Sequence, residues 1–163
     1  MNLTRRGAAA LGAALFLAAC TGGPTQAQIV ADAQGLVTVV QSTVATIVAS
    51  SPNAISLSLQ AKIAAAEASA TAALDAIAGA TTPAATAKKL QIVETYLNLG
   101  LTAIGAAIDA NPVLAAKYGT IFTAAQALLV GVIEPYIAQV VATGVAPAPS
   151  PAFAKQRAVL GIH

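Results

Sequence analysis

The chain has 163 residues, enough for one domain, and is 57% hydrophobic but only 9% charged, against roughly 25% charged in an ordinary soluble domain. Its formal charge of +2 includes Arg5 and Arg6, which lie in a segment expected to be removed. The eight basic residues then become six, against six acidic ones, and no basic stripe remains to neutralise the phosphates of a nucleic acid. The single cysteine rules out an internal disulfide, and a neutral, charge-poor surface suits a protein held at a membrane or packed against partners.

Met1 to Arg6 form a short leader with two positive charges, and Gly7 to Ala19 an uncharged apolar run of 13 residues. That run fits the roughly 7–15 residues of an export signal and falls short of the about 20 needed to span a bilayer. Leu17-Ala18-Ala19-Cys20 follows: a branched apolar residue, two small residues, then the only thiol in the chain. This segment resembles the signal and lipobox of bacterial lipoproteins, over about 20 of the 163 residues. The resemblance implies that Leu17, Ala18 and Ala19 are recognised by the signal peptidase. It also implies that Cys20 is alkylated with diacylglycerol and that the chain is cut just before it. One acyl chain anchors marginally, while two or three hold a protein firmly.

Residues 1–19 are therefore expected to be a signal peptide, and 20–26 a lipidated cysteine with a short polar tether. No cofactor is expected beyond that covalent lipid. Thr4-Arg5-Arg6 also resembles a twin-arginine export signal, although Gly7-Ala8-Ala9 replaces the bulky residues usual after the arginine pair. Both export routes stay open. Thr21 stands where an aspartate would favour retention at the inner membrane, so the resemblance implies the periplasmic face of the outer membrane in a Gram-negative cell.

Three polar–proline pairs punctuate the remainder: Ser51-Pro52, Thr82-Pro83 and Asn111-Pro112, with the prolines 31 and 29 residues apart. Each pairs a good helix N-cap with a residue suited to the first helical position. Thr25 with Gln28 three residues on forms a capping box. The predicted helices are about 25–50, 52–79, 83–110 and 112–143. Each carries an apolar stripe at alternating spacings of three and four, such as Ile29, Ala33, Leu36, Val40, Val44 and Ile47 in the first. The Val, Thr and Ile content of 36–48 favours a strand, but adjacent apolar pairs break strict alternation and the helix is kept.

Helices of this length measure about 40 Å. Equal lengths and short connections predict an all-α, alanine-rich antiparallel up-down four-helix bundle over 27–144. Gly100, Gly105, Gly119 and Gly131 are expected where helices approach closely, and Glu134-Pro135 should kink or interrupt the fourth helix. Residues 145–163 are expected to be a Pro-rich spacer and a flexible tail, with a docking peptide as the alternative for the tail.

No catalytic or metal-binding constellation emerges. The only histidine is His163, and no phosphate-binding glycine loop occurs. Asp32, Glu67, Asp75, Glu94, Asp109 and Glu134 never pair at three or four residues apart, which argues against a di-metal bundle. Glu94 and Glu134 are read as solvent-facing rather than as polar gates inside the bundle. Tyr96, Tyr118 and Tyr136 are read as core-edge residues with wet hydroxyls.

The expectation is a non-enzymatic lipoprotein with a structural or interaction role in the cell envelope. Its partners would be the membrane, a second copy or an envelope protein, and not nucleic acid. Two alternatives remain: a holin- or pore-like protein inserting a hairpin of the third and fourth helices, and a carrier of a small apolar ligand.

Overall fold

The computed structural model describes residues 26–146 and 154–162. Among these, all regular structure is helical. The elements are α1 (Gln26–Ser50), α2 (Leu57–Ile77), α3 (Pro83–Ala110), α4 (Pro112–Leu128), a π-helical segment (Leu129–Ile133), α5 (Glu134–Thr143) and α6 (Ala154–Leu160).

Helix α1 forms despite its β-branched content. Ile29, Leu36, Val40 and Ile47 fall on one face and are fully buried, and that burial outweighs a weak local preference. Threonines in these helices find partners locally. Thr38, Thr46, Thr95, Thr102, Thr123 and Thr143 each donate a hydroxyl hydrogen to the carbonyl four residues earlier, which satisfies a polar group without a charged surface.

The three polar–proline pairs behave differently. Thr82 Oγ1 accepts from Ala85 N–H at 3.2 Å, and Asn111 Oδ1 accepts from Val113 and Leu114 N–H at 3.0 and 3.4 Å. At both sites the proline begins a helix. Ser51-Pro52 instead closes α1: Ser51 N–H donates to Ile47 at 2.7 Å, and its carbonyl accepts from Ala54 N–H at 2.9 Å in a turn. Helix α2 starts at Leu57, five residues later than expected, behind an Ser56 cap. The turn drives Ile55 into the core, where it is 2% exposed. The Gln60 side-chain amide then donates to the Ile55 carbonyl at 2.7 Å.

Pro135 does not break the helical run, but the α-helical hydrogen-bond ladder changes just before it. Helical backbone runs from Pro112 through Thr143, and the turn before Pro135 widens to π geometry, with Glu134 N–H donating to Leu129, five residues back. Pro135 lacks an N–H and its ring crowds the carbonyl four residues earlier. One extra residue in the preceding turn absorbs that misfit. The helix ends at Gly144, whose φ of 70° closes the C-terminus in the left-handed region.

Helix α3 is the centre of the fold, packing on α1, α2, α4 and α5. Leu90, Val93, Tyr96 and Leu97 on it are completely buried. A methyl group at Gly100 would collide with Val40 Cγ1, so the Val40 side chain of α1 packs directly onto the α3 backbone there. Gly105 faces Phe122 of α4, whereas Gly119 opens onto empty space and serves no helix contact.

Two helices, Gln26–Ser50 and the continuous Pro112–Thr143, are long and apolar enough to cross a membrane by length and composition. Of their most apolar windows, 39% and 44% is buried within the fold, and a core helix of such composition meets the same criterion.

Candidate functional site

The most specific polar arrangement joins the two ends of the described chain. Asp32 lies one turn beyond Ile29 on the buried stripe of α1, and its side chain is 3% exposed. Arg157 on α6 reaches it with a two-pronged contact: Nε donates to Oδ1 at 2.8 Å and Nη2 to Oδ2 at 2.6 Å. Such a planar fork is among the stronger and most directional hydrogen-bonded pairs in proteins. The bond to Asp32 raises the Arg157 pKa above its ordinary value, against the opposing effect of burial.

Two residues beyond α6, Ile162 lies directly over Gly35. A Cβ on Gly35 would come within 2.5 Å of Ile162 Cγ1. Residues 154–162 therefore dock on α1 and α4 rather than fraying, the state expected of the tail. The ion pair, Ile162 over Gly35 and Leu160 against the core together hold a helix too short to persist alone.

Helix α6 lies against α4 as well as α1, with Leu160 packed on the core. A solvent-open groove of about 520 Å³ runs along this contact, walled by Ala115, Gly119, Thr123 and Ala127 on one side and by Lys155 and Val159 on the other. Gln156 Oε1 is buried beside it with no protein hydrogen-bond partner. Further grooves, between α1 and α2 and between α3 and α4, are likewise open to solvent rather than enclosed.

Glu94 on α3 and Glu134 at the start of α5 are both half-buried rather than fully exposed. Burial raises the Glu94 pKa, and the neighbouring charge of Glu134 raises it further. The tyrosines also sit deeper than the sequence suggests. Tyr96, Tyr118 and Tyr136 are 0%, 7% and 1% exposed, and their hydroxyls have no protein partner. Burial pushes the Tyr96 and Tyr136 hydroxyls above their ordinary pKa, with the charge of Glu67 adding to the effect at Tyr96. Glu67 itself accepts from the Gln41 amide at 2.7 Å, across α1 and α2.

Arg5, Arg6, Leu17, Ala18, Ala19 and Cys20 lie outside the described residues, as do Thr25 and His163. No group of three or more His, Cys, Asp or Glu side chains that could hold a metal occurs among the described residues. The Asp32–Arg157 pair escaped the sequence reading. Its signal was present: an acidic residue on an apolar stripe, and one arginine in the whole chain beyond Arg6. No family model matches the chain, and no curated protein or solved structure matches it.

Proposed function

We propose that this chain is an exported, non-enzymatic lipoprotein. Its four long helical segments form an antiparallel up-down four-helix bundle, tethered to a membrane face through lipid on Cys20, with a structural or protein-interaction role in the cell envelope. The observation that carries this reading is the run from Met1 to Cys20: cationic leader, short apolar segment, Leu17-Ala18-Ala19 and the only thiol.

The Gln26 side chain donates to buried Thr86 of α3 at 2.6 Å, so the packed fold reaches the end of the proposed tether. The charge-poor surface accords with life at an interface, since the ion pair between α1 and α6 turns its charges inward.

The test is the mass and detergent partitioning of the protein made in a bacterium, beside Cys20→Ala. The wild type is expected to lack residues 1–19, to carry acyl groups and to enter the detergent phase. The variant is expected to retain its signal and to carry no lipid. A wild-type protein of unmodified mass would overturn the proposal.

Membrane insertion has one observation in its favour, the two helices of sufficient length and apolarity. These are α1 and the α4–α5 helix, so an inserting hairpin would pair the first and fourth segments rather than the third and fourth. The unlipidated domain, incubated with dye-loaded vesicles of anionic phospholipid, is expected to cause no leakage. Leakage would favour insertion over tethering.

A further inference from the structure

One end of the helical array gathers elements from distant parts of the chain. Gln26, at the start of α1, donates to Thr86 near the start of α3. Gln26 and Ala27 also share a groove with Ile77, Ala78 and Ala80 at the end of α2. The end of α5 comes to the same place. The chain folds back at Asn111, so that Gly105 of α3 faces Phe122 of α4, and farther along the two helices Glu94 and Glu134 are charged neighbours. Eleven residues back from Glu94 is Pro83, and eleven on from Glu134 is Val145, so the start of α3 and the end of α5 lie at about the same height.

The proposed anchor attaches at this end. Six residue steps separate Cys20 from Gln26, a reach of at most about 20 Å. Helix α3 has 28 residues and is about 42 Å long. A lipid on Cys20 therefore keeps the start of α1 close to the bilayer. The opposite end, with Asn111 and the 51–56 turn, comes near only if the array lies flat.

The side chains at the anchored end suit a lipid surface. Val141 and Val145 are 62% and 63% exposed, and no charged residue lies from Pro135 to Ala146. Helix α1 contains one charged residue, Asp32, which Arg157 holds inward. Exposed Lys88 and half-buried Lys89 stand within two turns of the start of α3, where their long stems bring the ammonium groups to anionic headgroups. Asp75, near the end of α2, is the exposed acidic residue at this end. Leu57 and Val113 at the opposite end are just as exposed, so apolarity alone does not choose between the ends. The length of the tether does, and Val113 also stands one turn from both Asp109 and Lys117.

We infer that the anchored end is a membrane-contacting surface. The array stands on a phospholipid bilayer by the start of α1 and the end of α5, with Val141 and Val145 at the boundary of headgroups and acyl chains and Lys88 and Lys89 facing headgroup phosphates. Leu57, Val113 and the 51–56 turn then point away from the membrane. This inference rests on the anchoring through Cys20 proposed above, and adds the orientation and the side chains that touch lipid.

The test imposes the anchor chemically, so that it does not depend on what a cell attaches. The chain has no tryptophan and one thiol. Val145→Trp and Leu57→Trp are made separately in the chain from residue 20, and Cys20 is coupled to a maleimide phospholipid in vesicles of phosphatidylcholine and phosphatidylglycerol. Matched vesicles carry bromine high on the acyl chains. The emission of Val145→Trp is expected to move to shorter wavelength on coupling and to be quenched by bromine, while Leu57→Trp keeps its wavelength and intensity. Tryptophan itself favours the interface, and Leu57→Trp controls for that bias. No quenching at 145 would show an array held clear of the bilayer, and equal quenching at 57 would show one lying flat. Either result would overturn the inference, whereas failure of the anchoring proposal is read separately, as an unacylated Cys20 in the mass of the protein made in a bacterium.

A second measurement needs no substitution. Amine labelling of the coupled, unsubstituted chain, read by mass spectrometry, is expected to slow at Lys88 and Lys89 relative to the free chain and to stay unchanged at Lys62 and Lys117. Equal slowing at all four lysines, or at none, would contradict the proposed orientation.

Discussion

Helix α3 and helix α6 show two different ways of holding a helix in place. Helix α3 packs on four neighbours through fully buried apolar side chains and a glycine that receives the Val40 side chain of α1. No single contact dominates, and its loss would be loss of the fold. Helix α6 is held by one ion pair and by Leu160 and Ile162 against α1 and α4, beside an open groove. Distributed burial gives global stability, while a few local contacts give a part that can be released.

Substitutions in the two regions should separate accordingly. The largest effect is expected from Leu97→Ala, which opens a cavity in the centre of α3. It should lower global stability by about 3 kcal/mol, measured by urea unfolding followed by circular dichroism. Gly100→Ala comes next. The added methyl collides with stiff, fully buried Val40, and overpacking of about 1–3 kcal/mol exceeds the roughly 1 kcal/mol gained from helix propensity. A net loss of about 1 kcal/mol is expected in the same assay.

Arg157→Ala should behave differently from both. Breaking a buried pair costs about 3–5 kcal/mol when the remaining charge stays buried. Here the tail can leave and Asp32 can regain water. The global transition should therefore shift by less than about 1 kcal/mol, while trypsin cuts at Lys155 much faster than in the wild type.

Glu94→Gln is expected to have the smallest effect, and its sign depends on pH. Glu94 has a raised pKa in the fold, so between its unfolded and folded values the folded state holds more protons than the unfolded one. Stability then falls as pH rises through that window. Glu94→Gln should remove this fall and leave the protein slightly more stable than wild type at neutral pH, seen by comparing thermal melts at pH 4 and pH 7.

How far each region was legible follows from the same contrast. The helical nature of 26–143 was open to reading because apolar residues recur at three and four, and because Thr82-Pro83 and Asn111-Pro112 combine a side-chain cap with a preorganised φ. Ser51-Pro52 carries the same local signal yet ends a helix, because burial of Ile55 and a second cap at Ser56 decide the outcome. The π turn before Pro135 was not legible, since a proline misfit can be relieved by a break, a kink or a widened turn. The tail was the least legible. Its docking joins residues 125 positions apart, and no local pattern encodes such a pairing. Only Asp32 on an apolar stripe and the isolated Arg157 hinted at it.

The most direct test of this contrast is amide hydrogen exchange on the intact chain from residue 20 with Cys20→Ser. The account predicts that amides of 157–162 exchange through a local opening while those of 90–104 exchange only on global unfolding, and that Arg157→Ala accelerates the first group alone. Equal protection of the two groups, lost together in Arg157→Ala, would show that the tail is part of the cooperative core and would contradict it.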